Sequence, residues 1–212
     1  MGKDSEFEKI MQPRIDEIYT EMFGGKNGIK EIRRPNWDLK TPSKDEKERR
    51  YLDQHLGIDT ELILDDGTPM TFQEKSRRYS KKRTSCDFTL EYFNKPETGE
   101  PGEFFKLKAS WYFVGFSTGA PKIKDTDYEH FYILNIPALR LGIKREWDVK
   151  TMIDLGWLHD NDDGGDANFF AIPFSEIQKK IPECIYYHSK GNWYKNKHEQ
   201  ICSSDFKCVS LY

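Results

Sequence analysis

Three residues carry the chemical interest of this sequence: Asp59 in Gly57-Ile58-Asp59, and Gln73 and Lys75 in Thr71-Phe72-Gln73-Glu74-Lys75. Asp59 opens one apolar run, and the Gln-x-Lys pair closes a second. Between them stands Asp65-Asp66-Gly67-Thr68, a turn sequence that predicts a hairpin. Side chains two apart on a strand share a face, so Gln73 and Lys75 project together while Glu74 points the other way. If the two runs pair as neighbours, Asp59 at the start of one stands beside Gln73 and Lys75 at the end of the other. A carboxylate, a neutral oxygen ligand and an ammonium group meeting at one point suit the hydrolysis of a phosphodiester with a hard divalent cation.

Several elements must hold these residues in place. Residues 5–23 carry Phe7, Ile10, Met11, Ile15, Ile18 and Met22 at helical spacing, which predicts an amphipathic helix stopped by Gly24-Gly25. Residues 26–44, with Pro35 and Pro42, read as an irregular connector, and 45–55 as a short charged helix broken by Gly57. Strands are expected at 58–64, 70–76 and 87–93, forming a three-stranded meander, and again at 110–116, 129–135 and 168–173. Short helices are expected at 102–109, 137–144, 148–155 and 176–181, the last with Ser175 as N-cap. The final thirty residues, aromatic-rich and polar, give no firm assignment. This order predicts an α/β or α+β fold with a mixed central sheet flanked by helices. At 212 residues the chain fits a single domain, 1–212, with a core at about 5–116 and an elaboration over 117–212.

Charged residues make up 33% of the chain, aromatics 14%, and the mean hydropathy is −0.82. No run approaches the roughly 20 apolar residues needed to span a bilayer, and the N-terminus lacks an apolar signal core. A soluble protein of the cytoplasm, with no membrane partner, is therefore expected. The four cysteines, Cys86, Cys184, Cys202 and Cys208, show no C-x-x-C spacing, which excludes a zinc finger. They read as reduced structural thiols, with a disulfide from Cys202 to Cys208 or Cys184 as the alternative. Net charge is −3, but Arg77, Arg78, Lys81, Lys82 and Arg83 follow Lys75 almost without a break. Such a local field can guide a polyanion whatever the total charge.

The order helix, Gly-Ile-Asp strand, hairpin and Gln-x-Lys strand resembles the PD-(D/E)XK, or restriction-endonuclease-like, nuclease superfamily over roughly residues 5–116. Its motif positions here are Asp59, Gln73 and Lys75. The superfamily usually has Asp or Glu where this chain has Gln73, although some branches are similar in using Gln-x-Lys. The resemblance implies a restriction-endonuclease-like core and a DNA nuclease dependent on Mg²⁺ or Mn²⁺, with RNA as a second candidate substrate. It implies Asp59 as principal metal ligand, Gln73 as secondary ligand, the Glu74 carbonyl as a third oxygen, and Lys75 as the catalytic cation. Glu74 is the fallback for Gln73 if a bulge rotates the strand. One carboxylate and one amide imply weak metal affinity and a single ion. The superfamily often adds an acid from the first helix, for which Glu17 and Glu21 are the candidates; the alternative is a solvated helix flank.

Further candidates surround this motif. Arg77 shares the face of Gln73 and Lys75 and could pair bidentately with a phosphate, with Arg78, Lys81, Lys82 and Arg83 extending the contact; a charged solvated loop is the alternative. Glu91 lies with Asp87 and Thr89 on one face of its strand and is the accessory site candidate. His55 is close enough in sequence to approach Asp59. The acidic run after His159 lacks the Glu that a calcium loop requires. With no evident recognition domain, structure-specific cutting or recognition through a homodimer or partner is expected. The rival expectations are a nuclease fold that binds nucleic acid or protein without catalysis, and a structural protein with no nucleic-acid partner.

Overall fold

The computed structural model describes residues 3–23, 28–78, 87–117, 127–160, 167–189, 192–196 and 199–201. The elements in chain order are α1 (Lys3–Phe23), β1 (Ile29–Arg33), α2 (Lys44–Leu56), β2 (Thr60–Leu64), β3 (Pro69–Arg78), β4 (Asp87–Lys95), β5 (Glu100–Pro101) and α3 (Glu103–Lys106). They continue as β6 (Trp111–Ser117), β7 (Tyr128–Asn135), α4 (Ile136–Glu146), α5 (Val149–Asp154), β8 (Leu158–Asp160), β9 (Asn168–Pro173), α6 (Phe174–Lys180), β10 (Ile185–Ser189), β11 (Asn192–Asn196) and β12 (Glu199–Ile201). An eight-stranded sheet runs β1-β2-β3-β6-β7-β10-β11-β12, and a four-stranded sheet runs β5-β4-β9-β8. Among the described residues only the β3–β6 pairing is parallel. The fold is thus α+β with a mixed sheet.

The large sheet is covered on both faces, which explains the unbroken burial of β6. On one face Phe72, Trp111, Phe113, Phe131 and Ile133 pack against Met11, Ile15, Ile18 and Tyr19 of α1. On the other, Tyr112, Val114, Phe116, Tyr132 and Leu134 meet Phe88, Leu90, Phe170 and Ile172 of the small sheet, together with α4 and α6. Strand alternation decides which side each functional residue sees. Phe72 of β3 belongs to the α1 layer, so Gln73, in register with Tyr112, and Lys75, in register with Val114, face the layer of the small sheet.

Three sequence expectations are corrected. Strand β4 does not complete a meander with β3; Phe88 and Leu90 are drawn into the second core, and β4 pairs with β9 and β5. Residues 29–33 are not irregular but pair with β2. The C-terminal segment, which the sequence left unassigned, joins the large sheet: β10 extends it beyond β7, with β11 and β12 outside β10. Helix α6 begins at Phe174 after Pro173, so Ser175 lies inside it rather than capping it. Helix α2, in contrast, is capped by Ser43, whose hydroxyl accepts from the Glu46 N–H, and it ends at Gly57 in the left-handed region (φ 59°). Among the described residues no helix is long and apolar enough to cross a membrane. Cys184 is a buried thiol whose pKa burial pushes up to about 12; the other three cysteines lie outside the described residues.

Candidate functional site

Strand β2 is shorter than its partner, and this mismatch creates the site. Its ladder with β3 ends at Thr60 and Phe72, and the last backbone bond runs from the Asp59 N–H to the Phe72 carbonyl at 2.8 Å. Strand β3 continues to Arg78, leaving the next N–H on that edge, Glu74, without a backbone acceptor from β2. The Asp59 carboxylate replaces the missing strand: its Oδ2 accepts from the Glu74 N–H at 2.7 Å. Asp59 is thereby fixed on the open edge of β3, next to Gln73.

The left-handed turn at Gly57 brings a second acid to the same place. It folds the last turn of α2 back so that Asp53 comes within hydrogen-bonding reach of Asp59, six positions along the chain. Asp53 Oδ2 also accepts from the Trp37 indole N–H at 3.1 Å. Burial pushes the Asp59 carboxyl well above the ordinary carboxylate range; the Glu74 N–H opposes this, and the charges of Glu74 and Asp53 add to it. Burial raises Asp53 too, against the bonds it makes with Trp37 and Asp59. Burial of Asp59 and the nearness of the half-buried Asp53 disfavour ionising both carboxyl groups at once, and a cation bound between them would relieve that cost.

Gln73 completes this corner. Its Oε1 is buried with no hydrogen-bond donor. It points at Gly57, where a Cβ would stand 2.9 Å from Oε1 and 3.0 Å from Leu107 Cδ1. A buried oxygen without a donor, on a side chain that lines one cavity with Asp53 and Asp59, suits a hard divalent cation, which takes oxygen ligands. The Asp53, Asp59 and Gln73 side chains are therefore a chemically suitable set. Among the described residues no cluster of three or more His, Cys, Asp or Glu side chains is arranged to hold a metal, and this set has only two such members.

Two adjoining cavities meet at Gln73. One, of about 430 Å³, is lined by Lys75, Glu91, Glu103 and Tyr112. The other, of about 390 Å³, is lined by Asp59, Ser76, Gln12 and Trp37. Glu8, Asp53 and Glu74 border both. In the first, burial raises the Glu103 carboxyl above its ordinary range; the Lys75 ammonium opposes this and Glu91 adds to it. One Glu91 carboxylate oxygen is buried without a hydrogen-bond donor.

The other sequence candidates lie elsewhere. Glu74 is not a substitute for Gln73, because the β3–β6 register runs without a bulge and its carboxylate turns into the α1 layer. There it accepts from Arg34 Nη2 at 2.9 Å and from the Tyr19 hydroxyl at 3.0 Å. Glu17 and Glu21 do not line either cavity but pair with Arg14, at 3.0 and 3.6 Å, on the exposed flank of α1. The acid that α1 does bring to the site is Glu8, nearer the helix start. Arg77 shares the face of Gln73 and Lys75, yet its guanidinium donates to Thr89 and lies 5.9 Å from the Phe116 ring centre, so packing occupies it. The Arg78 side chain and Lys81, Lys82 and Arg83 lie outside the described residues. Glu91 does line the Lys75 cavity, whereas His55 packs at a tilt against the exposed Tyr51, 4.6 Å between ring centres.

Sequence reasoning missed Asp53, Glu103 and Glu8. For Asp53 a signal existed: a glycine helix stop at Gly57 turns the preceding helical turn toward the strand that follows. Glu103 had none, since it arrives through the pairing of β4 with β5 and the packing of Gly102, whose N–H donates to the Tyr92 carbonyl at 2.9 Å. The chain matches no protein-family model, no curated protein and no solved structure.

Proposed function

We propose that this protein is a Mg²⁺-dependent phosphodiesterase that cuts DNA, with Mn²⁺ able to replace Mg²⁺. The observation that carries the reading is the corner itself: Asp59 anchored on the Glu74 N–H, Asp53 against it, and Gln73, whose side-chain oxygen has no donor, lining the same cavity. Asp53, Asp59 and Gln73 would hold the ion. When bound, it would supply positive charge to the phosphoryl oxygens and acidify the attacking water.

Lys75 lies on the Gln73 face of β3, in the adjoining cavity, where its ammonium stabilises the negative charge that develops on a phosphoryl group between the two cavities. Glu103 and Glu91 line the same cavity, and the Lys75 charge acts on Glu103. The second carboxylate, Asp53, gives the ion a stronger ligand set than one acid and one amide. The topological features of the resemblance, an Asp-bearing strand joined by a hairpin to the Gln-x-Lys strand beneath α1, support the same reading.

The test uses supercoiled plasmid and single-stranded DNA with Mg²⁺ or Mn²⁺, comparing the natural protein with Asp59→Ala and Lys75→Ala. Both substitutions should abolish cutting. Cutting that survives both refutes the reading. Salt-sensitive binding without any cutting would instead identify a nucleic-acid-binding module, the outcome that Gln73 in an acid's place favours.

A further inference from the structure

The cavity beside Asp59, which Lys75 does not line, has a tryptophan in its wall. Besides Asp59 and Gln73 it is walled by Ile15, Pro35, Gln12 and Trp37. Its volume, about 390 Å³, lies within the range of small-ligand sites. Trp37 is 39% exposed, whereas Trp111 and Trp147 are buried at 8% and 6%.

An exposed indole is usually mobile, but this one is fixed from several directions. Its N–H donates to Asp53 Oδ2. The Arg50 guanidinium stands 5.0 Å from the ring centre. Arg50 in turn donates to the carbonyls of Asn36 and Leu39, tying the segment that carries Trp37 onto α2. Glu46 secures the same segment by accepting from the Asn36 N–H. A rigid ring with open surface gives stacking energy at little entropic cost. Gln12, which also lines the cavity, offers an amide with both a donor and an acceptor.

We infer that this cavity is a subsite for one unpaired nucleobase, stacked on Trp37, whose neighbouring phosphodiester reaches the Asp59–Gln73 corner. This rests on the nuclease reading and narrows its substrate to single-stranded or frayed DNA, because a base within a duplex is stacked on both sides and cannot enter. Base–aromatic stacking is sequence-tolerant, so little base preference accompanies it.

The experiment uses the full chain carrying Lys75→Ala, which leaves the proposed ion ligands intact and prevents cutting. Binding of a labelled single strand of about twelve nucleotides, and of a blunt duplex of equal length, is measured in Mg²⁺ by fluorescence anisotropy. The single strand should bind more tightly than the duplex. Adding Trp37→Ala should weaken single-strand binding by about tenfold or more, leaving the duplex unaffected, and Trp37→Phe should retain most of the affinity. The oligonucleotide should also quench tryptophan emission, and Trp37→Phe should remove that quenching, a readout that holds even if the alanine variant misfolds. Unchanged single-strand affinity in Trp37→Ala, or quenching that persists in Trp37→Phe, overturns the subsite while the nuclease reading stands. No binding of either DNA overturns both.

Discussion

Replacing Asp59 by Asn separates what this residue does for the reaction from what it costs the fold. The carboxyl is held well above the ordinary carboxylate range, chiefly by burial. A carboxyl with a raised folded-state pKa binds its proton more tightly in the folded chain than in the unfolded one. Its contribution to stability is therefore lost as pH rises from the ordinary carboxylate value through the raised one. Asp59→Asn removes that loss while its amide oxygen still accepts from the Glu74 N–H, and its NH₂ donates to Asp53. Asp59→Ala also removes the charge but strands the N–H that Asp59 Oδ2 now accepts at 2.7 Å. An unsatisfied buried donor costs about 1–3 kcal/mol. For a chain of this size that corresponds to a Tm gap of about 2–12 °C between the Asn and Ala variants. The assay is thermal unfolding by circular dichroism in EDTA at roughly pH 5 and pH 8. Asp59→Asn should exceed the natural protein at the higher pH, with a smaller decline between the two, while cutting no DNA. Equal Tm values for Asn and Ala, or a natural protein more stable than Asp59→Asn at pH 8, would refute the reasoning.

Other perturbations address the neighbouring contacts. Gly57→Ala should lower Tm, since a left-handed non-glycine residue costs about 1–2 kcal/mol. It should reduce cutting further than the stability loss explains, because the new Cβ stands 2.9 Å from Gln73 Oε1. Arg34→Ala leaves the buried Glu74 carboxylate, 8% exposed, with Tyr19 alone. Breaking such a pair costs about 3–5 kcal/mol, a Tm drop of about 6–20 °C in a melting curve. Mg²⁺ at a hundredfold excess over its Kd should raise Tm by about 5–11 °C, and calorimetry should show that shift and the binding heat vanish in Asp59→Asn.

Local pattern made much of this molecule legible. Alternation of apolar residues in β3 and β4 announced which side chains share a face, and Gln73 and Lys75 do, with Glu74 opposite. The helical spacing of α1, the stop at Gly57 and the turn at Gly67 follow from backbone chemistry that a few neighbouring residues decide. What escaped depended on partners far along the chain. Whether β4 joins β3 or β9 is settled by which core accepts Phe88 and Leu90, and no local period encodes that choice. The same long-range packing carries Glu91 and Glu103 to Lys75 and turns Arg77 toward Thr89. It also decides which acid of α1 borders the site, Glu8 rather than Glu17 or Glu21. The sequence by itself determined that Gln73 and Lys75 share a face of β3 and that α2 stops at Gly57, because strand pleat and glycine stops act over a few residues. Only the tertiary structure decided their company, because burial, and with it the raised Asp59 pKa and the donorless Gln73 oxygen, exists only once both layers close over the sheet.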